Sequence, residues 1–148
     1  MQAIFKLRRE GFNQTVQVGE IIEYENERYV LTHILEIKKL YSQSSRIIVE
    51  GIAQKIGSKS DYSKYEPTSV FERKYIKCDF TKDNPLYRVG DPFVFKGVCG
   101  QIESIESIRY EFVDMVIKYR TRLFRPWSKE EMDQAVKDYR LSKFKVIS

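Results

Sequence analysis

Lys118-Tyr119-Arg120-Thr121-Arg122-Leu123-Phe124-Arg125 holds four cations and no acid. In an extended strand Lys118, Arg120 and Arg122 project from one face, about 6.6–7 Å apart. That interval is close to the phosphate spacing of an extended nucleic-acid backbone, and Tyr119 and Phe124 lie alongside as stacking groups. With Arg125 these residues form the first candidate site, a reader of phosphates or of an acidic protein surface. A second candidate is the stretch from Gly57 to Ser69, where Tyr62 and Tyr65 stand beside Lys59 and Lys64. Aromatics interleaved with lysines suit single-stranded nucleic acid.

The groups that could do covalent or metal chemistry are fewer. The carboxylates Glu20, Glu23 and Glu36, then Asp91, Glu103, Glu106, Glu111 and Asp114, are spread along strand-like segments. Glu103, Glu106 and Glu111 bind a cation only if the fold converges them. His33 is the single histidine. Together with the lack of any Cys-x-x-Cys this predicts no zinc site. Cys78 and Cys99 read as two small buried hydrophobes with reduced thiols. No Gly-x-Ser-x-Gly elbow and no glycine-rich phosphate loop occurs, so no catalytic residue, metal or cofactor is expected.

The elements that must position these residues follow from composition and repeats. The chain has 148 residues, 42% of them apolar and 14% aromatic, with a net charge of +5. Such a chain buries about 69% of its unfolded surface, enough for a core without staples. It predicts neither a membrane span nor a secretory leader, and hence a cytoplasmic protein. Val18-Gly19-Glu20-Ile21-Ile22-Glu23-Tyr24-Glu25-Asn26 lies over Val89-Gly90-Asp91-Pro92-Phe93-Val94-Phe95-Lys96-Gly97 without a gap, and Leu31, Ile34 and Ile37 then fall on Ile102, Ile105 and Ile108. Each copy is preceded by a strand (residues 3–7 and 71–76) and followed by another (residues 46–53 and 114–120). The glycines suit a turn at positive φ, and Glu25-Asn26 and Lys96-Gly97 suit tight hairpins. Aliphatics three apart break strict alternation, which predicts a bulge near Thr32-His33 and near Glu103-Ser104.

The succession of strand, Val-Gly-acid turn, aromatic and short hairpin over Val18–Ile37 and Val89–Ile108 resembles the small SH3-like barrels, including the KOW-type modules of nucleic-acid-handling proteins. The resemblance implies binding rather than catalysis. Neither copy carries the KOW glycines, so it speaks for a fold and not for a ligand. At the other end, Ser128 and Glu131 spell a capping box, with Trp127 placed to staple onto Met132. Met132, Ala135, Val136 and Tyr139 continue at helical spacing, predicting a helix over 129–141 whose apolar stripe packs on a sheet.

The expected fold is therefore α+β and mostly β: two SH3-like lobes at residues 1–56 and 70–125, a linker or loop at 57–69, and a capped C-terminal helix and tail at 126–148. The leading expectation is a non-catalytic protein that contacts nucleic acid through residues 118–125. The alternative is a protein-binding inhibitor or regulatory adaptor, of the kind phages and mobile elements encode, using the same strip on an acidic partner.

Overall fold

The computed structural model describes residues 1–41, 45–57 and 65–147. They form eight strands and a terminal helix in two compact units, Met1–Ser60 with Pro126–Ser148, and Asp61–Arg125. The first contains β1 (Gln2–Glu10), β2 (Ile21–Tyr24), β3 (Glu27–Tyr41), β4 (Arg46–Lys55) and α1 (Lys129–Ile147). The second contains β5 (Thr68–Tyr75), β6 (Pro92–Phe95), β7 (Val98–Glu111) and β8 (Asp114–Leu123). Both sheets are antiparallel with equivalent strand orders, β1-β4-β3-β2 and β5-β8-β7-β6. The mostly β fold of two lobes and a terminal helix is as expected; β5 starts at Thr68, inside the stretch read as a loop.

Matched backbone bonds show how deep the repeat runs. The Gly19 N–H donates to Leu31 O and the Gly90 N–H to Ile102 O, both at 2.8 Å. The Leu31 N–H returns to Glu20 O and the Ile102 N–H to Asp91 O, both at 2.9 Å. Gly19 and Gly90 sit at φ 99° and 95°, which explains the glycine. The acid after each glycine accepts from the backbone three residues earlier, Gln17 N–H to Glu20 at 3.1 Å and Arg88 N–H to Asp91 at 2.7 Å. Asp and Glu therefore recur because their carboxylates satisfy a turn donor. The hairpins turn at Glu25-Asn26 and Lys96-Gly97, all four residues at positive φ, as the twist of paired strands requires.

The three-residue spacing has a simple cause. On β3, Leu31, Ile34 and Ile37 oppose Ala53, Gly51 and Val49 of β4. On β7, Ile102, Ile105 and Ile108 oppose Thr121, Tyr119 and Ile117 of β8. One strand advances three residues while its partner advances two, because register shifts follow Leu31, Ile34 and Ile37 and likewise Ile102 and Ile105. Each extra residue re-phases the pleat, so aliphatics three apart keep to one face. The first shift in each strand lies where the sequence places a bulge; the later ones repeat it.

Each sheet curls until rings on its outer strands touch. Phe5 of β1 lies 5.4 Å from Tyr24 of β2, and Phe71 of β5 lies 5.5 Å from Phe93 of β6, centroid to centroid. Inside the first sheet Leu7, Ile22, Leu31, Val49 and Ala53 are buried together. Inside the second, Tyr75, Phe93, Ile102, Ile117 and Tyr119 are. Here the hydroxyls form a directed chain: Tyr87 N–H to Tyr119 at 3.4 Å, Tyr119 to Tyr75 at 2.7 Å, Tyr75 to Pro85 O at 2.9 Å. That satisfies both buried phenols.

The helix covers the opposite face of the first sheet, with Met132 and Ala135 buried against Val30 and Trp127 packed beside them. Its start follows the sequence signal. The Glu131 N–H donates to Ser128 Oγ at 3.2 Å, and the Ser128 N–H to Glu131 Oε1 at 3.4 Å. It runs on to Ile147, past Leu141, since no glycine or proline stops it. Sequence reasoning missed Gln54 of β4, which is buried. Its amide donates to Trp127 O at 2.9 Å and accepts from the Trp127 N–H at 2.8 Å, clamping the approach to the helix.

Candidate interaction surfaces

Strand β8 places Lys118, Arg120 and Arg122 on one face and Ile117, Tyr119 and Thr121 on the other, as the pleat dictates. Acids from neighbouring strands meet the cations. Glu106 of β7 accepts from Arg120 Nε at 2.5 Å and lies 4.0 Å from Lys118 Nζ. Glu72 of β5, opposite Lys118 in register, takes two bonds from Arg109 at 3.0 and 3.2 Å. Those bonds hold the Glu72 carboxyl below its usual range. Lys74 pairs with Glu111 at 3.3 Å and Asp114 at 3.6 Å. The outer face of this sheet thus alternates in sign. Arg122 and Arg125 are exposed at the end of the strip.

The aromatic partners expected beside the strip are elsewhere. Tyr119 is fully buried in the second core, on the face opposite the cations, so it offers no ring to a base. Phe124 is half-buried, its N–H donating to Cys99 O at 2.9 Å. Of the second candidate, Lys59, Tyr62 and Lys64 lie outside the described residues. Tyr65 is half-buried, with its hydroxyl donating to Leu123 O at 3.3 Å. Cys99 is buried, which pushes its thiol up to about 12, whereas Cys78 is half-buried with its thiol 3.6 Å from Val113 O. His33 contacts Thr32 Oγ1 at 2.9 Å, and burial lowers its pKa. Among the described residues no group of three His, Cys, Asp or Glu is arranged to hold a metal ion. Among the same residues no helix is long and apolar enough to cross a membrane.

An exposed apolar feature that the sequence did not single out as a site lies on β3 and β7. Strand β2 pairs β3 only as far as Val30, and β6 pairs β7 only as far as Gln101. Beyond the Val-Gly-acid turns, residues 32–41 of β3 and 103–111 of β7 have β4 and β8 as their strand partners among the described residues. The isoleucines there are matched in exposure: 38% for Ile34 and 39% for Ile105, 59% for Ile37 and 60% for Ile108. Each unit thus carries an exposed aliphatic pair on a stretch with a single strand partner among the described residues. Such an edge is a template for another chain, and bulges restrain it from indiscriminate pairing. The β7 edge continues into Tyr110 and the turn Phe112-Val113, all exposed. Comparison with family models, with curated proteins and with solved structures gives no match.

Proposed function

We propose that this chain is a non-catalytic protein-binding module that docks its partner along the stretches of β3 and β7 that run beyond the ends of β2 and β6. The observation that carries this reading is the matched pair of exposed isoleucines on that stretch in each unit. An aliphatic pair in both copies, at nearly equal exposure, supports a surface used twice. Burying these side chains on a partner contributes about 1–2 kcal/mol each, and main-chain pairing adds direction. The test is capture of a partner by the whole chain at about 200 mM salt, where electrostatic contacts are screened. Capture that is lost in Ile37→Glu/Ile108→Glu is the expected result; undiminished capture by that variant overturns the reading.

A nucleic-acid reading is favoured by one observation, the exposed Arg122 and Arg125 at the end of the strip. Against it, Glu106 neutralises Lys118 and Arg120, and Tyr119 is withdrawn into the core. Labelled single- and double-stranded DNA and RNA at about 50 and 200 mM salt decide the matter. Tight binding that weakens steeply with salt, and that Glu106→Gln strengthens, establishes this second reading.

A further inference from the structure

The turn that joins β7 to β8 breaks two local rules at once. Glu111 pairs with Asp114, so Phe112 and Val113 are the two residues of the turn. Phe112 sits at φ 56°, in the left-handed region that glycine and asparagine enter readily and a bulky residue does not. It is also 96% exposed, and Val113 beside it is exposed too. The hairpins at Glu25-Asn26 and Lys96-Gly97 fill their positive-φ positions with polar residues or glycine. In sequence, the chain between β3 and β4 reads Ser42-Gln43-Ser44-Ser45. Stability and solubility alone would favour such residues at 112 and 113. Departures from local preference of this kind cluster at functional sites.

The neighbouring chain is tied to this turn. Tyr75 of β5 and Tyr110 of β7 both lie opposite Met115 of β8, so Ile76, the residue after Tyr75, reaches the level of the turn. The Lys77 N–H donates to Asp114 Oδ1 at 2.8 Å, and the Cys78 thiol lies 3.6 Å from Val113 O. Ile76 and Tyr110 are exposed, so the end of the sheet gathers two more apolar side chains around Phe112. The carboxylates of the turn are already taken. Lys74 reaches Glu111 at 3.3 Å and Asp114 at 3.6 Å, and Arg109 holds Glu72 at 3.0 Å. Lys77 and Asp79, both exposed, add one charge of each sign. The apex is apolar, with balanced charge around it.

We propose that Phe112 is the anchor of the protein-binding surface, and that the partner presents an uncharged apolar pocket the size of a phenyl ring. This rests on the protein-binding reading and adds to it the shape and chemistry the partner must have. A hairpin apex is convex, so it enters a cavity and does not offer one. Balanced charge gives a polyanion no purchase. A bilayer would have to take Glu111 and Asp114 in with the ring, and burying carboxylates is costly even when they are paired. Against a protein pocket they stay at the rim, in water, while the ring is buried at the centre, the anatomy of a binding hot spot. Phe12, in the loop after β1, is exposed as well but does not have positive φ, and it serves as the comparison.

The test uses the full chain throughout. Phe112→Asn is expected to melt at or above the parent's temperature, because asparagine accepts positive φ and the exposed ring gives up no packing. β-Cyclodextrin, an uncharged apolar cavity that admits a phenyl ring, stands in for the pocket. Followed by aromatic NMR, it is expected to shift the Phe112 ring at lower concentration than the Phe12 ring, since the turn that carries Phe112 is tied down. The protein captured by the parent at about 200 mM salt is expected to bind Phe112→Asn at least about thirtyfold more weakly, and Phe12→Asn as it binds the parent. Phosphatidylcholine vesicles are expected to leave the chain in solution. A lowered melting temperature for Phe112→Asn, a Phe112 ring that shifts no sooner than Phe12, undiminished capture by Phe112→Asn, or vesicle binding that this substitution abolishes overturns the proposal. Capture lost in Phe112→Asn but kept in Ile37→Glu/Ile108→Glu supports the anchor and overturns the reading of the two stretches. The reverse overturns the anchor alone, and no capture by the parent overturns both.

Discussion

A glutamine in a strand ordinarily faces water, and Gln54 instead behaves as a piece of backbone. Its amide supplies the donor and the acceptor that Trp127 would find in a β ladder. Gln54→Leu keeps the volume but strands two buried polar groups, and is expected to cost about 1–3 kcal/mol in urea unfolding. Buried protons give a second prediction at this scale. Burial raises the Cys99 thiol from 9.0 to about 12 and, with the Tyr119 bond, pushes the Tyr75 phenol well above 10.0. Both folded values lie above the unfolded ones, so these protons favour the folded state fully below pH 9. As pH rises beyond that, the unfolded chain deprotonates first and stability falls, by up to about 1.4 kcal/mol per unit for each group. Unfolding at pH 8 and 10.5 is expected to show that loss, and Cys99→Val to reduce it; a parent as stable at 10.5 as at 8 contradicts the assignment. Gln54 was invisible in the sequence because its partner is 73 residues away along the chain. The capping pair Ser128 and Glu131, three residues apart, was fully legible.

Among the elements, the bulged strands β3 and β7 determine most of what each unit presents. Their extra residues lengthen one strand against its partner and hold three aliphatics in line. Gly51 of β4 belongs to the same device. A Cβ there would stand 2.6 Å from the backbone oxygen of His33, where the bulged strand presses close. Gly51→Ala is therefore expected to destabilise the first unit by about 1–3 kcal/mol, an overpacking cost, and a melting temperature equal to the parent's would contradict this. Ser128→Ala is expected to cost about 0.5–2 kcal/mol through loss of the cap, read as a lowered urea midpoint. The spacing of Leu31, Ile34 and Ile37 announced a disturbance of the pleat, but only cross-strand register reveals that it recurs every third residue. The helix overran its expected end because the apolar stripe closes at Tyr139 while the residues after it carry no stop signal.

For each unit taken whole, charge and apolar surface lead to different partners, and cross-strand geometry is the ground on which the protein partner is proposed. Four cations in eight residues look like a phosphate reader when only their own strand is visible. The neutralising acid, Glu106, comes from the neighbouring strand and enters through a pairing that local sequence does not disclose. The exposed edges were hidden for the opposite reason: the isoleucines stood out only as repeat positions that signal a bulge, and their exposure depends on where β2 and β6 end. Repeat, turns and hairpins are local and were legible; surfaces are assembled from several strands and were not. The most direct measurement is amide hydrogen exchange of the whole chain with and without its captured partner at about 200 mM salt. The protein-binding account predicts new protection along residues 32–38 and 103–111, the stretches that run beyond the ends of β2 and β6. Protection confined to Arg122–Arg125, with those edges unchanged, would contradict it.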